Sequence, residues 1–235
     1  MGHTGTALTT EEFNPSANLT YLEPTWFIDS GHPDVCAYAE RVCTDADDDK
    51  EKAVRLFYAI RDDIRYNPYS MNKAPEHLRA SNVLAAGEGY CVPKAVLMAA
   101  CARAVGIPSR LGFADVTNHL TTEKLSSLMD DKRFLYHGYA ELWLEGRWLK
   151  VTPTFNRSLC ERFGVKTMEF DGKSDALLQG FDRKGNKHME YLHDHGSYDD
   201  VPYDELMRVW EASCPRILHG VEGHKLADNK WGNNT

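Results

Sequence analysis

Cys91 stands where a thiol can be turned into a nucleophile. It follows a glycine-rich turn, Gly87-Glu-Gly-Tyr90, and opens a stretch from Val92 to Val105 dominated by alanine and aliphatic residues. That stretch reads as a helix: Pro93 occupies an early position that tolerates proline, and Gly106-Ile-Pro108 supplies the stop. A helix apolar nearly all round is a buried one. At its N-terminus the macrodipole and the unpaired backbone N–H groups favour a thiolate, drawing the pKa from about 8.5 toward neutrality or below. The chemistry such a thiolate performs is attack on an acyl carbon. The same position also suits a small core cysteine, and this stretch alone leaves both readings open.

A nucleophile needs a base, and the histidines are the first place to look. Tyr136-His137-Gly-Tyr-Ala-Glu-Leu-Trp-Leu144, Glu145-Gly146 and Arg147-Trp-Leu-Lys-Val-Thr-Pro-Thr154 read as a β-hairpin. With Glu145-Gly146 as the loop, Leu144 faces Arg147, Trp143 faces Trp148, Leu142 faces Leu149, Glu141 faces Lys150 and Ala140 faces Val151. Aromatic meets aromatic, aliphatic meets aliphatic and acid meets base, which a one-residue slip would spoil. Gly138, Ala140, Leu142, Leu144, Leu149 and Val151 then form the core side. His137 falls on the other face with Tyr139, Glu141, Trp143, Trp148, Lys150, Thr152 and Thr154.

Two further clusters have the composition of a site. Asp45, Asp47 and Asp49 alternate as in a calcium loop, but Lys50 replaces the turn glycine and Leu56 the bidentate acid, so they read as solvated carboxylates at a helix start. His188-Met-Glu-Tyr-Leu-His193-Asp-His195 is metal-like in composition without a spacing such as His-Glu-x-x-His. It reads as loop histidines, with Tyr191, His193 and His195 able to line a cleft.

The elements that must position these residues follow. His32-Pro-Asp34 opens a helix to about Cys43, and a second begins in the acid run and carries Ala53, Leu56, Phe57, Ile60 and Ile64 at helical spacing. Arg79–Gly87 is a short helical turn with a glycine stop, and Ser109–Asp115 is a strand. The polar stretch to Asp131 is a long loop or short helix. Leu159–Phe163 reads as a helical turn, Val165–Gly172 as a strand and turn, and Pro202–Trp210 as a short helix with Leu206 and Trp210 inward. Residues 1–30 are expected as an extension on the body, 31–160 as the core, and 161–235 as a C-terminal extension covering it.

The 235 residues suffice for one decorated domain, and 42% hydrophobic with 26% charged content is ordinary for a soluble globular chain. A net charge of −8 without a Lys/Arg stripe argues against nucleic acid and anionic membrane as partners. Nothing approaches the roughly 18 apolar residues of a membrane span, and the first ten residues lack the features of a secretory signal. The six cysteines show no Cys-x-x-Cys spacing, which points to a reducing, cytoplasmic setting.

Gly89-Tyr-Cys91, Arg103-Ala-Val-Gly-Ile-Pro-Ser-Arg110 and His137-Gly-Tyr-Ala-Glu141-Leu-Trp-Leu-Glu-Gly146-Arg-Trp148 together resemble the transglutaminase-like superfamily over about half the chain. The resemblance implies an α+β, papain-like core: a central buried helix, with the cysteine at its N-terminus, packed on an antiparallel β-sheet that brings up the histidine. It also implies Cys91 as nucleophile and His137 as its base. The family places aspartate in a Trp-x-x-x-Asp-Pro-Thr arrangement; here the stretch is Trp148-Leu-Lys-Val-Thr152-Pro-Thr154, and threonine replaces the acid. Thr152, Asn156 and Asp115 are the candidates to orient the imidazole.

The implied reaction is acyl transfer on a peptide or small amide or ester, without a cofactor or metal. The Cys91 backbone, with Tyr90 as a second candidate, would bind the oxyanion, and Tyr139 and Trp143 would contact substrate. Two other classes compete. One is a binding module that has kept the scaffold without its acid. The other is a metal-dependent hydrolase built on the C-terminal histidines.

Overall fold

The computed structural model describes residues 19–119, 123–128, 133–178, 184–185 and 188–218. Four helices come first: α1 (Pro33–Val42), α2 (Asp49–Asp63), α3 (Ala80–Ala86) and α4 (Cys91–Ala104). The acid run serves α2 as expected. Asp48 accepts from the Glu51 N–H at 2.7 Å, and Glu51 reaches back to the Asp47 N–H at 3.0 Å, a reciprocal cap. Gly87, with φ +63°, ends α3 in a left-handed turn that glycine adopts freely.

Every residue of α4 from Val92 to Arg103 is buried, because α1, α2, α3 and the sheet enclose it. Its polar residues are bonded inside: Lys94 Nζ donates to the carbonyls of Arg61 and Ile64, and Arg103 donates to those of Ser109, Glu23 and Asp199. Burial without such partners would be costly.

Two short strands the sequence did not reveal, β1 (Arg65–Tyr66) and β2 (Glu88–Gly89), pair in parallel just before Cys91. The main sheet holds β3 (Ser109–Asn118), β4 (Arg133–Leu144), β5 (Arg147–Val151) and β6 (Met189–Tyr198), in the order β5-β4-β3-β6, with all pairs antiparallel. The β4–β5 register is the one inferred from cross-strand chemistry, from Ala140↔Val151 to Leu144↔Arg147. This is the expected α+β arrangement, with the helix that starts at Cys91 packed on an antiparallel sheet.

Two expectations change. The 188–195 segment is a strand: β6 completes the sheet edge, and its irregular pairing hid the two-residue period. Val165–Gly172 forms no strand. Its backbone is taken up by α2 side chains, with Arg61 donating to the Met168 carbonyl at 2.7 Å and Tyr58 bonding Phe170. The face of β4 that carries Tyr139 is covered as well, by a second apolar cluster of Ala114, Val116, Tyr139, Leu178 and Met189.

Helix α5 (Glu123–Leu128) lies within the polar stretch before β4, and α6 (Arg157–Phe163) follows the hairpin. The chain then reaches α7 (Tyr203–Ser213) and α8 (Pro215–Leu218), with Leu206 and Trp210 buried as anticipated. The extension proposed for residues 1–30 lies partly outside the described residues, as does the end of the chain beyond 218. No helix among the described residues is long and apolar enough to cross a membrane.

Candidate active site

Cys91 is the first residue of α4, held there by the β1–β2 pair. Arg65 N–H donates to the Gly87 carbonyl and Asn67 N–H to that of Gly89, both at 2.9 Å, which fixes the turn before the helix. Strand β4 closes on the helix start at Gly138. A Cβ there would lie 2.9 Å from Val92 Cγ2 and 3.0 Å from Val92 Cα, so only glycine permits the approach. The backbone N–H groups of Gly138, Val92 and Cys91 itself lie near enough to the Cys91 sulfur to favour its charged form. His137, next to Gly138, is thereby carried to the same place.

Cys91 and His137 line one cavity of about 50 Å³ whose wall includes Tyr66, Tyr90, Tyr136 and Trp210. This apolar enclosure reverses the charge state anticipated for the thiol. Three backbone N–H groups favour the thiolate, yet burial outweighs them and pushes the Cys91 pKa up to about 11. Burial also pushes His137 down to about 4, and its Nε2 has no hydrogen-bond partner among the described residues. Both groups rest neutral in the one cavity.

The candidates for orienting His137 have different surroundings. Asn156 is fully engaged: its Nδ2 donates to the carbonyls of Arg61, Asp62 and Ile64, and its Oδ1 accepts from Tyr66 N–H at 2.7 Å. It joins the end of α2 to β1. Asp115 accepts from Tyr136 N–H at 3.1 Å and contacts His195 Nε2 at 2.8 Å. Thr152 is different, since its Oγ1 is buried with no partner of good geometry among the described residues. Tyr191 stands near enough for the Thr152 hydroxyl to favour its phenolate, and the Leu178 N–H donates to the Tyr191 hydroxyl.

Tyr139 and Trp143 lie elsewhere. The Tyr139 ring lies over Gly112, where a Cβ would meet it at 2.1 Å, and its hydroxyl bonds Asp194 and Lys150. Trp143 packs edge-on against Trp148 toward the hairpin turn. Neither lines the cavity with Cys91, because side chains on that stretch of β4 serve the sheet's own packing. Tyr90 does line it; the residue caps α4 in an extended conformation, and its buried hydroxyl has no partner among the described residues.

Among the described residues the C-terminal histidines form no cluster of three or more groups that could hold a metal ion. His188 stacks on Phe155, His193 meets His195 edge-on, and His195 stacks on Tyr136 with centroids 4.0 Å apart. Tyr136 is the site residue that the sequence did not disclose. It is a bulky side chain held at φ +56°, a conformation that costs about 1–3 kcal/mol and is characteristic of functional sites. Only the glycine at 138 hinted that this part of β4 is special.

A model of the transglutaminase-like superfamily matches residues 36–153. No curated protein matches the chain. Among solved structures, a proposed cysteine protease from Cytophaga hutchinsonii aligns at 16% identity and TM-score 0.45, over 77% of this chain and 54% of that one. The periplasmic domain of TgpA from Pseudomonas aeruginosa aligns at 18% identity and TM-score 0.42, over 60% and 48%. A proposed protease from Parabacteroides distasonis aligns at 17% and TM-score 0.38, over 57% and 25%. The chain thus spans about half the length of the first two and a quarter of the third. The matched segment takes in Cys91, His137 and Thr152 and covers half of the sequence: the chain belongs to the transglutaminase-like superfamily.

Proposed function

We propose that this protein is a cysteine-dependent acyl-transfer enzyme acting on an amide, peptide or ester through a thioester on Cys91. The observation that carries this reading is the shared cavity of Cys91 and His137, at a helix start whose backbone N–H groups favour a charged sulfur. Because the resting pair is neutral, the thiol proton passes to the imidazole as the sulfur attacks the carbonyl carbon. The tetrahedral oxyanion takes a hydrogen bond from an N–H at the start of α4. Collapse breaks the bond to the leaving amine or alcohol, which takes its proton from His137, and leaves the thioester. Water or an amine then attacks with His137 as base, and Cys91 is released.

Thr152 is proposed to orient the imidazole through its hydroxyl, without adding negative charge. The largely apolar and aromatic wall suits an uncharged acyl group. The neutral pair also favours a second reading, an inert binding module in which Cys91 is part of the wall.

A thiol-reactive ester probe with intact-mass readout separates the two. The enzyme reading expects a single adduct at Cys91, lost in Cys91→Ala and slowed at least tenfold in His137→Gln, in line with the usual contribution of a positioned base. Equal labelling of other thiols, or indifference to His137→Gln, would leave the binding module.

A further inference from the structure

Both pairings of β3 are irregular around Asp115. On the β4 side, Ala114 pairs with His137 but Val116 pairs with Phe134, so Asp115 faces two residues, Leu135 and Tyr136, and β4 carries one extra. On the β6 side, Phe113 pairs with Gly196 and Ala114 with Asp194, which makes His195 an extra residue. A further shift follows between Asp115 and Val116. Bulges gather beside active sites because an inserted residue re-aims the side chains next to it.

The inserted residues meet at Asp115. Its Oδ1 accepts the Tyr136 N–H at 3.1 Å and contacts His195 Nε2 at 2.8 Å. The Tyr136 and His195 rings stack at 4.0 Å and 19°. Tyr136 is thus kept in the left-handed region that aromatic residues avoid, and the next residue in the chain is His137. At the far end of the Tyr136 ring the hydroxyl donates to Glu205 Oε1 at 2.6 Å. With its N–H, ring and hydroxyl all engaged, the backbone has no slack at the residue that precedes the imidazole.

We propose that Asp115 is a positioning residue: by holding Tyr136 in the bulge, it fixes the direction in which His137 leaves β4 toward Cys91. It acts on the backbone and makes no contact with the reacting atoms. This rests on His137 being the base for Cys91, and the test separates the two ideas. Glycine adopts the left-handed conformation without help, so a glycine at 136 removes the need for an anchor.

The experiment follows the His137 ring signals in long-range ¹H–¹⁵N spectra together with the Cys91 alkylation rate by iodoacetamide. Asp115→Ala is expected to move the ring signals and slow alkylation about tenfold, as a small misplacement of a reacting group does. Asp115→Asn keeps an acceptor oxygen and is expected to stay within about twofold of the parent. In a Tyr136→Gly background, the further effect of Asp115→Ala is expected to shrink below about threefold.

A folded Asp115→Ala protein with unmoved His137 signals overturns the proposal. So does an undiminished effect in the glycine background. If alkylation ignores His137→Gln while the ring signals still respond to Asp115→Ala, the base assignment fails and the positioning survives. Should Asp115→Ala lose its cooperative thermal transition, Asp115→Leu keeps the branched shape of the side chain and removes the acceptor of the Tyr136 N–H. Its failure to move the His137 signals would equally overturn the inference.

Discussion

A histidine held neutral by burial makes the fold sensitive to acid. His137 titrates near 4 in the folded protein, against about 6.5 in an unfolded chain. Below pH 6.5 the unfolded chain takes up a proton that the native site refuses, so stability is complete above that pH and is lost as pH falls toward 4. The contribution is on the order of 3 kcal/mol. Urea unfolding at a series of pH values should show a steeper acid loss for the parent than for His137→Gln, whose side chain does not titrate; equal slopes would contradict the burial of the ring. The Cys91 thiol presents the opposite case, since burial favours its neutral form up to high pH. Both shifts have one cause, the apolar wall of the cavity, and it is that wall which the sequence concealed. Local spacing announced a cysteine at a helix start, but the residues that desolvate it come from distant segments, Tyr66 and Trp210 among them.

At the scale of elements, the contact between β4 and the start of α4 decides whether the site exists. Replacing Gly138 with alanine would put a methyl group about 3 Å from both the backbone and the side chain of Val92. Overpacking of this kind costs about 1–3 kcal/mol, and the strand must retreat to relieve it. Gly138→Ala should therefore lower the thermal midpoint and slow Cys91 alkylation together. A variant that loses stability but keeps the parental alkylation rate would show that the contact does not place His137. Elements were legible where chemistry was local. The cross-strand pairs from Ala140↔Val151 to Leu144↔Arg147 carried their own register, and α4 carried its own apolar signature. β1, β2 and β6 were hidden because their pairing depends on partners remote in sequence, and in β6 inserted residues break the alternation.

At the scale of the whole molecule, the C-terminal helices α7 and α8 complete a cavity whose chemistry sits in the core. Trp210, Cys214 and Ile217 line it, and two hydrogen bonds fasten α7 to β4: Trp210 Nε1–H to the Leu135 carbonyl at 3.0 Å and Tyr136 to Glu205. Trp210→Ala should cost about 3–5 kcal/mol and leave space beside Cys91. In the surviving folded fraction, bulkier acyl probes should then react faster relative to small ones; an unchanged ranking would mean that the indole does not limit access. The sequence marked Trp210 as inward but could not say that it faced the candidate nucleophile, since only the folded chain brings residue 210 to residue 91.

The enclosure of α4 has a last consequence, for how the molecule opens. With all its residues from Val92 to Arg103 shielded by other elements, no local fraying exposes the middle of this helix. Its amides should be the slowest in the chain to take up deuterium, doing so only when the entire protein unfolds, whereas those of the β6 edge exchange through small fluctuations. The platform beneath the sulfur would then stay rigid even while the strand carrying His195 loosens.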